Sequence, residues 1–232
     1  MTIEEYRERD KKRIEANIRR LEEGVDFCDI YTAFIDDEVV IEPGAVIGQN
    51  VILKGKTVIH AGATIGPSSV LRDAEIGSGT VVEASHIYES TVGENTTVGP
   101  FAYIRPGSRI GSECKVGDFV EVKNSTFGDG SKSAHLTYIG DADIGKNVNL
   151  GCGVVFVNFD GAKKYRSTVG DDCFIGCNSN LVSPVALGDG AYIAAGTTVT
   201  EDVPEDALAI GRSRQTTKEH WVKKRKIMRK DQ

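Results

Sequence analysis

From about Ile35 to Val203 an aliphatic residue returns every six positions, usually followed by glycine and then, four positions on, by a small or β-branched residue. "IGQNVI" from Ile47, "VGPFAY" from Val98, "IGKNVN" from Ile144, "IGCNSN" from Ile175 and "LGDGAY" from Leu187 are instances. A few steps are five residues, as from Leu71 to Ile76 and from Val122 to Phe127. Such hexads predict a β-solenoid with three short faces per turn, the aliphatic residue pointing inward and the glycine relieving crowding at the corner. About eighteen residues make one coil, and coils stack about 4.8 Å apart, so roughly nine coils fit in this stretch.

Two stretches depart from the period. Residues 1–24 place Ile14, Ile18 and Leu21 on one helical face and stop at Gly24, which predicts a short N-terminal helix. The frame breaks again at "NFDGAKKYRS", residues 158–167, and resumes at Val169, which predicts a polar loop ejected from the solenoid 25–211 to line a site or pack on a neighbour. A basic arm, 212–232, with "KEHWVKKRKIMRK", closes the chain and reads as a solvated or helical end.

Composition narrows the function classes. A formal net charge of −6 over 232 residues argues against a nucleic-acid binder, and no apolar run reaches the roughly 20 residues that span a bilayer. The charged N-terminus is unlike a secretory leader, so a cytoplasmic protein is expected. Five cysteines without a CxxC pair suggest reduced thiols: Cys114 and Cys173 fall at inward positions, and Cys152 and Cys177 follow glycines at outward ones. His60, His86, His135 and His220 are too scattered for zinc, and "LKGKT" at 53–57 lacks the first glycine of a phosphate-binding loop, so no metal is expected.

One coil carries chemistry. In "SAHLTY" Ser133 takes an inward aliphatic position, leaving His135 and Tyr138 outward or at a corner. Arg105 and Lys123, eighteen residues apart, should stack on one face, where an anion such as a phosphate would relieve their repulsion. Separate pairing with Glu113, Glu121 or Asp118 is the plainer alternative, as a surface imidazole without a duty is for His135. An imidazole, titrating near pH 6.5 when unperturbed, can take the proton of an attacking amine at neutral pH.

The runs "VGPFAYIRPGSRIG", "VGDFVEVKNS", "GSKSAHLTYIGDADIGKNVNLGCG", "VNFDGAKKY", "IGCNSNLVSPVALGDGAYIAAGTTVTEDVP" and "ALAIGRSRQ" resemble the acetyltransferase domain of the bifunctional bacterial GlmU family. The resemblance implies an all-β fold, a left-handed parallel β-helix with short terminal helices, assembled as a homotrimer with active sites between subunits. It implies acetyl-CoA-dependent N-acetylation of the 2-amino group of glucosamine 1-phosphate, toward a cell wall precursor. His135 would be the general base. Arg105, Lys123 and Tyr138 would hold the phosphate, while Asn149, Asn158 and Lys164 would position the sugar. Cys152, Cys177, Ala195 and Arg212 would line the acetyl-CoA site.

The family's uridyltransferase portion is not matched, so no uridyltransferase activity is expected of this chain, and a separate uridyltransferase is a candidate partner. Phe159 in "NFDG" stands where many members have tyrosine, and Cys177 where serine is common. A different amino-sugar acceptor, or a non-catalytic trimeric solenoid, are the alternatives. A tetrahydrodipicolinate-type transferase shares the hexads but has no need of "RPGS", "HLTY" and "NFDGAKK" together.

Overall fold

In the computed structural model, which describes residues 1–225, the hexads wind into a parallel β-helix of three faces. Face 1 holds eleven strands, from Asp26–Phe27 to Leu208–Ala209; face 2 holds ten, from Phe34–Ile35 to Thr198–Val199; face 3 holds nine, from Val40–Ile41 to Ala186–Leu187. All pairing between strands is parallel and in register, so that Ile104, Val122 and Ile139 stack on face 2 and Ile110, Phe127 and Ile144 on face 3. Most strands are two or three residues long, because each hexad must spend the rest of its length on a corner.

The core is a set of aliphatic ladders. Ile47, Leu53, Ile59, Ile65, Leu71, Ile76, Ile87 and Ile104 are all fully buried, with Phe127 and Phe156 the largest side chains inside. Cys114 and Cys173 are buried fillers, and burial pushes both thiols above their ordinary range. Small hydroxyls fill the fourth position of many hexads: Ser85, Thr96, Ser108 and Ser125 are buried and bond to backbone groups of the coils. Ser133 occupies an inward position between Val116 and Leu150, and its hydroxyl alone among the described residues is buried without a hydrogen-bond partner.

Helix α1, Ile3–Glu22, starts with a capping box in which Thr2 and Glu5 exchange hydrogen bonds. Of the apolar residues on its one face Ile14 is half-buried, whereas Ile18 and Leu21 are exposed. The helix turns a polar edge to the first coil instead. Asn17, fully buried, donates to the carbonyls of Ile30 and Ala33, Arg13 also donates to Ala33, and Arg20 donates to Asp36. Further along, each coil's amides donate to the carbonyls of the next, as Phe34 does to Val51 and Ile52 to Ser69. The first coil has no predecessor, so its carbonyls need other donors, and α1 supplies them.

The break in the frame is a short excursion. Asn158 to Arg166 leaves face 2, makes a single antiparallel bridge between Phe159 and Lys164, and returns at the strand Ser167–Val169, whose first residue is buried in the helix rather than in the loop. Asp160 accepts from the amides of Ala162 and Lys163, which holds its carboxyl below the usual range. At the base Arg166 donates to Asp143 and to the carbonyls of Asn124 and Ala142. In the basic arm, helix α2 spans Trp221–Arg225, and residues 226–232 lie outside the described residues. No helix among the described residues is long and apolar enough to cross a membrane.

Candidate active site

Face 2 carries a cationic cluster at its corner with face 3. Arg105 follows the strand Tyr103–Ile104 and Lys123 ends the strand Glu121–Lys123 one coil on, so the register stacks them. Each has its own carboxylate: Arg105 donates to Glu121 at 2.7 Å, and Lys123 lies 3.2 Å from Asp141. Separate pairing therefore holds for Arg105 through Glu121, while Lys123 pairs with Asp141 rather than with Glu113, Glu121 or Asp118. Lys164, reaching back from the ejected loop, lies close enough to Lys123 for that cation, with a lesser effect of Arg105, to pull its ammonium below the usual range.

Asp141 organises this corner. It is 7% exposed and accepts from Lys123, from Asn124 at 2.6 Å and from Asn158. Burial opposes its charge most strongly, yet the donors from Asn124, Lys123 and Asn158 outweigh it and hold the carboxyl below the usual range. Its backbone is left-handed, with φ at 51°. Tyr138 belongs here too: a Cβ on Gly140 would stand 2.5 Å from its hydroxyl and 2.8 Å from Asn158 Nδ2. The missing side chain at Gly140 is what lets both groups lie over the strand.

The second constellation runs along the corner between faces 1 and 2. His135 ends the strand Lys132–His135 and is over half exposed; its Nδ1 hydrogen bonds to Asp118, its register partner on the preceding coil. The His135 hydrogen bond, first among several causes, holds the Asp118 carboxyl below its usual range. Successive corners are laced by backbone bonds from Gly153 to Leu136, Asn178 to Cys152, and Gly196 to Cys177. Cys152 and Cys177 thus lie one coil apart, and Ala195 follows. The approach is close: a Cβ on Gly151 would stand 2.6 Å from the amide nitrogen of Cys177, and one on Gly176 2.4 Å from that of Ala195. Beyond them the side chain of Arg212 lies against Gly196.

Ten of the predicted residues therefore fall into two groups within one chain, with His135 and Cys152, Cys177, Ala195 and Arg212 on one corner, and Arg105, Lys123, Tyr138, Asn158 and Lys164 at or beside the other edge of face 2. Asn149 joins neither. It begins the strand Asn149–Leu150 on face 1, between Lys132 and Phe174 in the stack. Asp118, Asp141 and Arg166 were missed as site residues. Spacings of seventeen or eighteen, from Asp118 to His135, from Lys123 to Asp141 and from Asp141 to Asn158, were the signal that could have found the two aspartates. Arg166 gave none, because its partners are backbone carbonyls and a carboxylate twenty-three residues away.

Residues 89–124 match the bacterial transferase hexapeptide repeat and residues 167–201 the hexapeptide repeat of succinyl-transferase. A solved structure of a UDP-N-acetylglucosamine acyltransferase superposes with a TM-score of 0.52 at 18% identity, covering 80% of this chain and 71% of that one, a likeness of fold. Repeat and fold together define a hexapeptide-repeat β-helix of the kind found in transferases. Within that class the chain resembles the acetyltransferase domain of GlmU. It is 54% identical over 202 residues, 87% of its length, to 44% of the bifunctional protein GlmU of Clostridioides difficile, and 52% identical over 199 residues, 86% of its length, to 43% of that of Geobacillus sp.. The chain spans about half the length of the curated relatives it matches.

Proposed function

We propose that this chain transfers the acetyl group of acetyl-CoA to the 2-amino group of glucosamine 1-phosphate. The observation that carries the reading is the corner column that begins at His135 and Cys152, passes Cys177 and Ala195, and ends on the cation Arg212. Four coil steps of about 4.8 Å make it roughly 19 Å long. That suits an extended pantetheine arm, with its thioester beside the imidazole and its phosphates toward the guanidinium. Similarity to GlmU, a name that belongs to those relatives, supports the choice of acetyl donor and acceptor.

The acceptor's phosphate fits Arg105, Lys123 and Lys164. Lys123 and Lys164 already crowd each other in the free protein, and a dianion between them would relieve the repulsion that lowers Lys164. Tyr138 and Asn158 border that cluster. Because His135 and the cations occupy opposite edges of face 2, the reading requires the phosphate-holding edge of one copy to meet the His135 corner of another, which a homotrimer accomplishes. Asn149, on face 1 in register with Lys132, would then reach the sugar from the face whose strand ends at His135 rather than from beside the cations.

In the reaction the amine nitrogen attacks the thioester carbonyl while His135 Nε2 takes a proton from it. The tetrahedral intermediate's oxyanion needs a donor, and the backbone N–H at Cys152 is the candidate on this corner. Collapse breaks the carbon–sulfur bond, and the imidazolium returns the proton to the departing CoA thiolate. General-base help of this kind is worth ~10²- to 10⁴-fold.

The test is to incubate the protein with acetyl-CoA and glucosamine 1-phosphate and detect N-acetylglucosamine 1-phosphate by mass, with glucosamine 6-phosphate and His135→Ala as controls. Product from the 1-phosphate, lost in the variant, supports the reading. Acetyl-CoA binding with no product from either sugar overturns the acceptor assignment in favour of another amino sugar or a non-catalytic trimeric solenoid.

A further inference from the structure

The proposed reaction needs more of His135 than its presence. The ring must present a lone pair, not an N–H, to the incoming amine, and it must point away from the solenoid. A neutral imidazole has one donor and one acceptor nitrogen, and which is which is decided by the partner of the nitrogen not in use. The only partner of the ring among the described residues is Asp118, and it meets Nδ1. A carboxylate is an acceptor, so the proton of neutral His135 belongs on Nδ1 and the lone pair on Nε2.

Asp118 is built to stay in that role. It ends the strand Lys115–Asp118, directly under His135 in the parallel register, and its own carbonyl accepts from the Leu136 amide at 3.0 Å, so main chain and side chain both tie the two coils together. The charged groups acting on Asp118 are His135 and, from its own strand, Lys115, both of which favour the carboxylate. Asp118 makes no bond to the cations that hold the sugar phosphate in the reading above, since Arg105 is taken by Glu121 and Lys123 by Asp141. Its carboxylate is therefore free to serve the imidazole.

We propose that Asp118 is the positioning residue of the acetyl transfer, fixing the Nδ1–H tautomer of His135 and turning Nε2 toward the acceptor amine. This rests on the assignment of His135 as base. As the imidazole takes up the amine proton, Asp118 also stands beside the imidazolium that forms, with the new proton on Nε2 and the old one still held between Nδ1 and the carboxylate. No other residue need move, and the proton leaves by the same nitrogen when CoA departs.

Two variants separate orientation from charge. Asp118→Asn keeps an oxygen that accepts from Nδ1 but removes the charge, whereas Asp118→Ala removes both. The expected order of kcat is wild type, then Asn, then Ala, with the alanine variant down ~10- to 100-fold, a part of the full general-base contribution, and KM for either substrate little changed. An activity-free readout accompanies it: long-range ¹H–¹⁵N correlation of the His135 ring in the intact protein, expected to give the Nδ1–H form in wild type and Asp118→Asn and a mixture with Nε2–H in Asp118→Ala. An Nε2–H ring in wild type, or full kcat in both variants while His135→Ala is inactive, overturns the proposal and leaves the base in place. Full activity in His135→Ala overturns the base assignment itself.

Discussion

Arg105 and Lys123 sit at the same register position on adjacent coils, one above the other, yet neither rests its charge on the other's counter-ion: Glu121 takes the first and Asp141 the second. Two stacked cations, each half-neutralised from the side, leave donor capacity facing outward. Lys123→Ala is expected to raise KM for the phosphorylated acceptor ~10- to 100-fold, the scale of one charge-assisted hydrogen bond, with KM for acetyl-CoA unchanged. Equal losses for both substrates would separate Lys123 from the phosphate.

The same variant has a second consequence. Lys164 is held below the usual ammonium range chiefly by Lys123. Removing Lys123 should return it upward, and its ε-amine should be modified more slowly by an amine-reactive reagent at a fixed pH near 8, read by mass spectrometry of the loop peptide. An unchanged rate would mean that the two lysines do not meet.

Cys177 follows Cys152 in the corner column and is exposed. A small polar group should be tolerated there, so Cys177→Ser is expected to keep activity, whereas a bulky alkyl label on Cys177, introduced with Cys152 changed to Ala, should block acetyl-CoA but leave binding of the sugar phosphate. Calorimetry with each ligand distinguishes this from general damage, and a label that spares acetyl-CoA binding would remove Cys177 from the donor column.

Ser133 is inward-facing with an unpartnered hydroxyl between Val116 and Leu150. Ser133→Ala removes that buried oxygen at almost constant volume and should stabilise the fold by ~1 kcal/mol in denaturant unfolding. A loss of stability would show that the hydroxyl finds a partner in solution.

The solenoid itself was legible because one six-residue period fixes both the strand and its inward residue, and the same period placed Cys114 and Cys173 inside and Cys152 and Cys177 outside. The seat of α1 was not. Apolar spacing marked only Ile14, Ile18 and Leu21 on one face, but the surface awaiting the helix is a row of carbonyls, which an apolar face cannot satisfy and which Asn17 and Arg13 can. For the site, stacking by eighteen brought Arg105 to Lys123, but hexad phase alone does not say which carboxylate folds toward which cation. Asp141 and Asp118 stood in the sequence as ordinary corner residues, and only their placement over Lys123 and under His135 reveals what they hold.

Away from the site, His60 on face 3 is bracketed by Glu42 at 2.9 Å from Nδ1 and Glu75 at 3.1 Å from Nε2. The hydrogen bond to Glu75, then that to Glu42, pushes the imidazole above its ordinary range. A raised folded value stabilises fully below about pH 6.5, the unfolded value, and that contribution is lost as pH rises through the folded one. Between pH 6 and 8 wild type should therefore lose more stability than His60→Gln. Parallel pH profiles of the unfolding midpoint for the two proteins would exclude this linkage.

A parallel β-helix has no natural end. Every coil is a template for the next, and an unfinished first turn would offer a second molecule's last turn a ready growth front. The side chains that α1 lays on the carbonyls of Ile30, Ala33 and Asp36 make that turn a terminus. Read this way, the helix is less a domain than a stop, and what it guards is the finite length of the molecule: with Asn17 and Arg13 replaced by leucine, the chains would be free to join end to end into fibres.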